Sequence, residues 1–160
     1  MQLGESFVGD GPNAAHVNTV LGPRDGPVGT AWATALATPT AGHAPFVVVL
    51  RPDLPVRPFT LFVNKSRIDS DRHAELTWGA AQAGVAAGVA DALAEGSIED
   101  PDQVCITAVW VNPLADDADA VFANNRAATR AALAAGHEAR PTVDEVLAGR
   151  DEVWNAYFRR

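Results

Sequence analysis

The sequence predicts a mixed α/β fold, in which helices pack on a sheet within a single domain of residues 1–160. A length of 160 residues suits one domain. Short apolar runs typical of strands alternate with alanine-rich stretches typical of helices, and glycine and proline residues separate them. The resulting order (strand, strand, helix, strand, strand, helix, strand, helix) predicts a sheet with helices on one or both faces.

The first half of the chain supplies four of the predicted strands and one helix. The predicted strands are residues 3–8, 15–21, 45–50 and 59–63, and the helix covers about residues 28–38. Consecutive apolar residues in the last two strands indicate that both are buried. Pro52, Pro55 and Pro58 lie between these two strands and suit a rigid turn, because proline cannot donate to a central ladder.

The second half of the chain alternates helices with one further strand. A long helix is predicted over about residues 73–95, a strand over 103–111 and a second long helix over about 117–135. Three glycines weaken the first of these helices unless another element packs closely against them. They are Gly79, Gly84 and Gly88. Thr142 and Glu145 have the spacing of a capping box and predict a short final helix.

Composition and charge exclude several classes of partner. The formal net charge is −8 and the isoelectric point is near 4.8, so nucleic acid is not an expected partner. No run approaches the roughly 18 apolar residues of a membrane span. Residues 1–5 lack the basic and apolar regions of a signal peptide. The sequence therefore predicts a cytoplasmic protein with no membrane partner.

Cysteine and histidine usage gives no sign of a metal site. The single cysteine, Cys105, lies inside the apolar run of residues 104–111 and is expected to be a small core residue. The four histidines are scattered, without the spacing of metal ligands. We therefore predict neither a metal nor a covalently bound cofactor.

Lysine occurs once, at Lys65, whereas the other eleven basic residues are arginines. An ammonium group can act as a compact point charge or as a free amine, and a guanidinium group cannot become an amine near neutral pH. Lys65 and Arg67 are two residues apart, so on an extended chain they point to the same side and favour an anionic ligand. The alternative is a solvated charged edge that prevents strands from aggregating.

His16 is the second candidate for chemistry. It begins the second predicted strand, after a turn whose residues Gly9 and Gly11 let the backbone approach a ligand. An imidazole that titrates near neutral pH can give and take a proton within one turnover. The alternative is a structural histidine that bonds to the turn. No role is assigned to His43, His73 and His137.

Gln82 lies in an apolar stripe of the long predicted helix. The stripe consists of Trp78, Gln82, Val85, Val89 and Leu93. An amide among apolar residues needs hydrogen-bond partners, and a bound polar heterocycle would supply them. The alternative for Gln82 is a bond to neighbouring backbone. Trp78 either stacks on an aromatic ligand or packs in the core.

Several motifs, taken in order along the chain, resemble those of the formaldehyde-activating enzyme family. They are residues 4–12 (GESFVGDGP), 15–18 (AHVN), 21–27 (LGPRDGP), 50–58 (LRPDLPVRP), 64–65 (NK), 78–82 (WGAAQ) and 109–113 (VWVNP). Such a series in the right order is far more specific than any single motif. The resemblance covers roughly residues 3–148, and the tail 151–160 has no counterpart in it.

The resemblance implies a carbon–nitrogen hydro-lyase that condenses formaldehyde with tetrahydromethanopterin, giving the methylene derivative and water. This is a reaction of one-carbon metabolism and formaldehyde detoxification, with the reduced pterin as a co-substrate. The family fold is like the second domain of ribosomal protein S5, assembled as a homopentamer with sites between subunits. The family's catalytic histidine falls on His16, and its pterin-contacting lysine and glutamine fall on Lys65 and Gln82.

Three further substrate-binding positions of the family differ in this chain. The family's aspartate is Asn18, which loses a charge-assisted bond to the N–H edge of a pterin. Its threonine is Arg67, and its leucine is Val47, which is smaller by one methylene group. Asn18 and Arg67 together make the site more positive by about two charges. A different and more anionic carrier is therefore an alternative to tetrahydromethanopterin.

The mechanism implied for such a site begins with an amine of the carrier that attacks formaldehyde. His16 acts as general acid on the resulting carbinolamine, and the iminium then closes onto a second nitrogen. Lys65 orients the carrier or the formaldehyde oxygen.

Two alternatives to this function remain. One is a diverged enzyme that joins formaldehyde or another small aldehyde to a different amine, such as a folate. The other is a binding protein without catalytic activity.

Overall fold

The computed structural model describes residues 1–155 and 158, and it has the predicted mixed α/β architecture. The strands are β1 (Gln2–Val8), β2 (Ala15–Gly22), β3 (Phe46–Val47), β4 (Val49–Arg51), β5 (Leu54–Pro55), β6 (Phe59–Asn64) and β7 (Val104–Trp110). Five of them form one sheet in the order β1-β2-β7-β6-β3, and β4 pairs with β5 in a small hairpin. Within the large sheet β6 and β7 are parallel, and the other neighbours are antiparallel.

Besides a short 3-10 helix at Gly11–Asn13, residues 1–155 and 158 include five α-helices and one π-helical segment. They are α1 (Pro27–Ala37), α2 (Asp71–Ala74), the π-helical segment (Glu75–Ala81), α3 (Gln82–Ala94), α4 (Ala118–His137) and α5 (Val143–Ala148). The side chain of Thr142 accepts from the Glu145 amide and the Glu145 carboxylate accepts from the Thr142 amide, so the predicted capping box is present. No helix among the described residues is long and apolar enough to cross a membrane.

The sequence correctly predicted β1, β2, β6 and β7 of the large sheet, and it was wrong about two local details. The run 45–50 is not one strand, because its backbone partners change at Val48. Val48 donates to Thr60 of β6, whereas its own carbonyl accepts from Val56, beside the β4–β5 hairpin. The helix predicted over residues 73–95 begins earlier and contains the π-helical segment. The likeness to the second domain of ribosomal protein S5 stays a prediction.

The two faces of the large sheet have different surroundings. Helices α3 and α4 cover one face, and the core lies there among side chains such as Val17, Phe62 and Val109. Cys105 is part of this core, as predicted, and burial raises the pKa of its thiol to about 11. On the opposite face α1 packs against β2 and β7, while Phe7 of β1 remains partly exposed. This second face is therefore only partly covered.

Two glycines set the distance between α3 and α4. A Cβ atom at Gly84 would lie 2.5 Å from the carbonyl oxygen of Phe122, and one at Gly88 would lie 2.6 Å from that of Arg126. The close packing that the sequence required around these glycines is confirmed at both positions. Gly79 differs, since a Cβ there would meet no atom within 4 Å.

Candidate active site

A cavity of about 710 Å³ opens on the partly covered face of the sheet. Six of its lining residues belong to β1, β2 and β7 or directly follow β6. They are Glu5, Phe7, His16, Asn18, Lys65 and Trp110. Two more, Trp154 and Asn155, come from the segment after α5. The cavity therefore lies between the sheet and the C-terminal segment.

Strand register explains why these side chains meet. Phe7, His16 and Trp110 are direct partners across three neighbouring strands, so their side chains emerge in one row on one face. Glu5 and Asn18 form the next pair along the same two strands. Residues two apart on a strand share a face, so both rows point into the same cavity.

His16 and Glu5 form a direct polar contact in the cavity. The Nε2 atom of His16 lies 2.9 Å from Oε1 of Glu5, and the two side chains are 42% and 59% exposed. The ring of Phe7 lies 6.1 Å from the imidazole, centroid to centroid, at an angle of 57°. A carboxylate at this distance holds the Nε2 proton of the imidazole and orients the ring, leaving Nδ1 for proton transfer.

The turn before His16 is fixed by contacts with the start of α4. Gly9 has φ +86°, and a Cβ atom there would lie 2.5 Å from the Nδ2 atom of Asn124. Asn124 donates to the carbonyl of Asn13, and the Asn13 side chain donates to Asp116, both at 2.9 Å. These bonds hold the beginning of β2, and with it His16, in a defined position.

Lys65 reaches the cavity because β6 runs parallel to β7. Its backbone N–H donates to the carbonyl of Val109 at 2.7 Å, which extends the pairing of the two strands by one residue. This bond places Lys65 at the end of the sheet where Trp110 and His16 lie. His16, Asn18 and Lys65, three of the six predicted site residues, thus line one cavity.

Arg67 does not share this cavity with Lys65, so the expectation that both point to the same side was wrong. The chain bends after Asn64, whose side chain donates to the carbonyls of Gly42 and Ser66. The Ser66 hydroxyl in turn donates to the carbonyl of Val111 at 2.8 Å. As a result Arg67 lines a second cavity of about 590 Å³, on the side of Trp78.

Gln82 and Val47 also lie outside the cavity that contains His16. The Oε1 atom of Gln82 accepts from the N–H of Val49 at 2.7 Å, and the residue is only 8% exposed. Of the two alternatives considered for Gln82, a bound heterocycle or a bond to neighbouring backbone, the structure therefore shows the second. Val47 lies on β3, opposite Leu61 of β6, at the far edge of the sheet.

Trp78 is 42% exposed and is not in the core, although the predicted stripe placed it on the same helix face as Gln82. Trp78 lies inside the π-helical segment, which ends just before Gln82. The i→i+5 hydrogen bonds of this segment change the number of residues per turn, so Trp78 is rotated relative to the stripe that continues in α3. The other members of the stripe lie in α3, and Val85 and Val89 are fully buried.

Five lining residues were not predicted from the sequence. Glu5 and Phe7 share a face of β1 with each other, and this alternation was a signal that could have found them. Trp110 could be found only with the strand order, because β7 lies next to β2 in space but far from it in sequence. Trp154 and Asn155 follow no pattern that points to the cavity.

Among residues 1–155 and 158, no cluster of three or more His, Cys, Asp or Glu side chains could hold a metal ion.

Comparison with protein families gives one match over nearly the whole chain. A family described as formaldehyde-activating enzyme (Fae) matches residues 3–158. The match therefore includes the cavity residues of the sheet and extends into the segment that carries Trp154.

Individual relatives agree with the family match. The chain is 42% identical over 152 residues to the 5,6,7,8-tetrahydromethanopterin hydro-lyase of Methanosarcina barkeri, covering 93% of this chain and 85% of that protein. It is 39% identical over 153 residues to the bifunctional enzyme Fae/Hps of Methanosphaera stadtmanae, covering 94% of this chain and 38% of that protein. The corresponding enzyme of Methanococcoides burtonii is 38% identical, with 98% of this chain and 40% of that protein covered. The chain thus spans less than half of each bifunctional relative.

Proposed function

The chain belongs to the formaldehyde-activating enzyme family, and from this premise we propose that it is a hydro-lyase of one-carbon metabolism. It condenses formaldehyde with a reduced pterin of the tetrahydromethanopterin type, giving the methylene adduct and water. The observation that carries the proposal is the cavity in which His16, bonded to Glu5, faces the same space as Lys65.

The first step needs little assistance from the protein. An amine nitrogen of the carrier attacks the formaldehyde carbon, and a proton moves to the formaldehyde oxygen to give a carbinolamine. By holding both partners in one cavity, the protein turns an encounter in solution into a local reaction. The Lys65 ammonium orients the formaldehyde oxygen or the carrier, and Asn18 binds the polar edge of the carrier.

The second step is the loss of water, and His16 is its general acid. The imidazolium ion donates a proton from Nδ1 to the carbinolamine hydroxyl, the carbon–oxygen bond breaks, and water leaves. The Glu5 carboxylate accepts a hydrogen bond from Nε2 at 2.9 Å and thereby directs Nδ1 towards the cavity. General acid catalysis of this kind contributes roughly 10² to 10⁴ in rate.

The third step closes the ring and regenerates the catalyst. The second amine nitrogen of the carrier attacks the iminium carbon and forms the second carbon–nitrogen bond. The proton lost from that nitrogen returns to Nδ1 of His16, so the imidazolium ion is restored. In sum, formaldehyde and the carrier become the methylene adduct and one water, without an oxidant or a reductant.

We further propose that the working form is a homopentamer, as the family resemblance implies, and that each site lies between two subunits. Val47, Arg67 and Gln82 lie away from the His16 cavity of their own chain. In the proposed assembly these three positions of one subunit complete the cavity of its neighbour.

Reduced pterins are sensitive to oxidation, and the cytoplasm is the compartment that suits the reaction.

The carrier is the part of the proposal that Asn18 and Arg67 bear on most directly. Both positions replace residues of the family with a more positive side chain, which favours a carrier with more negative charge. Tetrahydromethanopterin and tetrahydrofolate are therefore the two carriers to compare.

The test is the rate of methylene adduct formation from formaldehyde with each carrier, measured against the uncatalysed reaction. The wild-type protein should accelerate the reaction with at least one carrier. His16→Ala should lower kcat by roughly 10² to 10⁴ with an unchanged circular dichroism spectrum. His137→Ala, at the exposed end of α4, is the matched control and should behave as wild type. Full turnover by His16→Ala would refute the assignment, and a wild-type protein inactive with both carriers would refute the function.

A further inference from the structure

The C-terminal segment forms one side of the cavity. Trp154 and Asn155 line the cavity together with the sheet residues, although they are separated from Trp110 by more than forty positions of sequence. The other lining residues lie on β1, β2 and β7 or, in the case of Lys65, directly after β6, whereas Trp154 and Asn155 follow α5. A ligand in the cavity therefore lies between the sheet and this segment.

The C-terminal segment reaches the cavity although the helix before it does not pack into the core. Helix α5 has no buried residue, so it contributes nothing to the core that α3 and α4 form with the sheet. After α5 the chain nevertheless returns to the cavity. Asn155, which follows Trp154, exchanges two backbone hydrogen bonds with Phe158, at 2.9 and 3.2 Å. Trp154 itself is 57% exposed.

The chemistry of the lining matches a flat heterocycle with a polar edge. Three aromatic side chains, Phe7, Trp110 and Trp154, supply apolar faces, and two amides, Asn18 and Asn155, supply donors and acceptors. A cavity of about 710 Å³ lies within the range of small-molecule sites. An indole at the rim of such a cavity gives large contact area with few side-chain rotations to lose.

We propose that Trp154 is a carrier-binding residue, which stacks on the pterin ring and closes the cavity over it. This inference rests on the proposed function and deepens it, because it names a residue that selects the carrier and leaves formaldehyde unaffected. Formaldehyde has no aromatic surface, so stacking acts on the carrier alone. Trp154 therefore contributes to binding of the pterin, whereas His16 transfers the proton to the carbinolamine hydroxyl.

The experiment compares Trp154→Ala and Trp154→Phe with the wild-type full chain. Val153→Ala is the matched control, since Val153 is the preceding residue and does not line the cavity. For each protein we would measure the KM values of formaldehyde and of the reduced pterin, and the Kd of the pterin by calorimetry without formaldehyde. The thermal midpoint of each variant reports on folding.

Trp154→Ala should raise the KM and Kd of the pterin about three- to tenfold, the effect of one lost aromatic contact. The KM of formaldehyde and the thermal midpoint should stay unchanged, Trp154→Phe should recover most of the affinity, and Val153→Ala should match the wild type. An unchanged pterin Kd in Trp154→Ala would overturn the inference, as would equal losses for both substrates.

Calorimetry separates this inference from the proposed function. If the wild-type protein binds a reduced pterin without turning it over, the proposed function fails and the Trp154 comparison still decides the inference. If the wild-type protein binds neither tetrahydromethanopterin nor tetrahydrofolate, both fail together.

Discussion

The contact between Glu5 and His16 is the smallest unit on which the proposed chemistry depends. Its two residues lie on adjacent strands, and the register of β1 on β2 puts them on one sheet face. The carboxylate fixes the tautomer and the direction of the imidazole, as carboxylates beside catalytic histidines commonly do. Glu5 is therefore a positioning residue for the proposed acid.

Glu5→Gln should lower kcat by about three- to tenfold, because the amide oxygen still accepts from Nε2 and only the charge assistance of that bond is lost. The KM values of formaldehyde and the carrier should change little, because the amide has the same shape and neither substrate loses a contact. Steady-state kinetics decides between these outcomes. Glu99→Gln, an exposed site outside the cavity, serves as the control. A variant that alters KM and leaves kcat intact would contradict a positioning role.

Asn18 is the residue at which carrier choice can be tested most simply. Asn18→Asp restores the carboxylate of the family and with it a charge-assisted bond to the N–H edge of a pterin. We expect the KM of tetrahydromethanopterin to fall about three- to tenfold. Competition between the two carriers in one assay measures the change directly. Equal effects on both carriers would show that this residue does not discriminate between them.

Among the elements, α3 and α4 depend most visibly on particular residues. Gly84→Ala would place a methyl group against the Phe122 carbonyl and should lower stability by about 1–3 kcal/mol, the usual cost of overpacking. Gly79→Ala is the matched control in the same run of helix, where open space leaves only the gain in helix propensity of roughly 1 kcal/mol. Thermal unfolding should therefore shift in opposite directions for the two variants. A shift in the same direction would mean that helix propensity, and not the α3–α4 contact, governs this segment.

Helix α5 has its own dependence on pH, set by its cap. The Arg140 guanidinium, with the amide and hydroxyl of Thr142, lowers the pKa of Glu145 from about 4.5 to about 2. Because the folded pKa is the lower one, the stabilisation is complete above about pH 4.5 and is lost as the pH falls through about 2. NMR chemical shifts of α5 should therefore lose helical character over this interval before those of α4. Glu145→Gln should abolish the transition, and an identical titration in that variant would assign it to another group.

The elements also show where prediction from the sequence stops. The bounds of β1, β2, β6 and β7 follow from short-range apolar patterns, which depend on the residues of each strand alone. The π-helical segment and the division of residues 45–50 depend on contacts with other parts of the chain, such as the bond from Val49 to Gln82. The same holds for the site. His16 and Lys65 have distinctive residue types, whereas Trp110 and Trp154 become relevant only through the strand order and the path of the C-terminal segment.

At the scale of the whole molecule, the proposed assembly predicts complementation between inactive variants. His16→Ala and Gln82→Glu alter different halves of the proposed site, and the glutamate keeps an acceptor oxygen for the Val49 amide. If each site combines two subunits, co-expression in equal amounts should restore about a quarter of the wild-type activity, since that share of head-to-tail interfaces carries both intact residues. Native mass spectrometry should give five copies of the 16.8 kDa chain. No recovery in mixed oligomers would place each site within one subunit.

The position of β7 at the centre of the sheet has a consequence for synthesis on the ribosome. Residues 104–110 separate β2 from β6, so a nascent chain of one hundred residues already contains His16 and Lys65 but lacks the strand that aligns them. A ligand of the cavity therefore cannot act as a template for early folding steps, because the cavity cannot form before residues 104–110 have emerged. Fragments that end before β7 therefore lack the strand that brings His16 and Lys65 into one cavity.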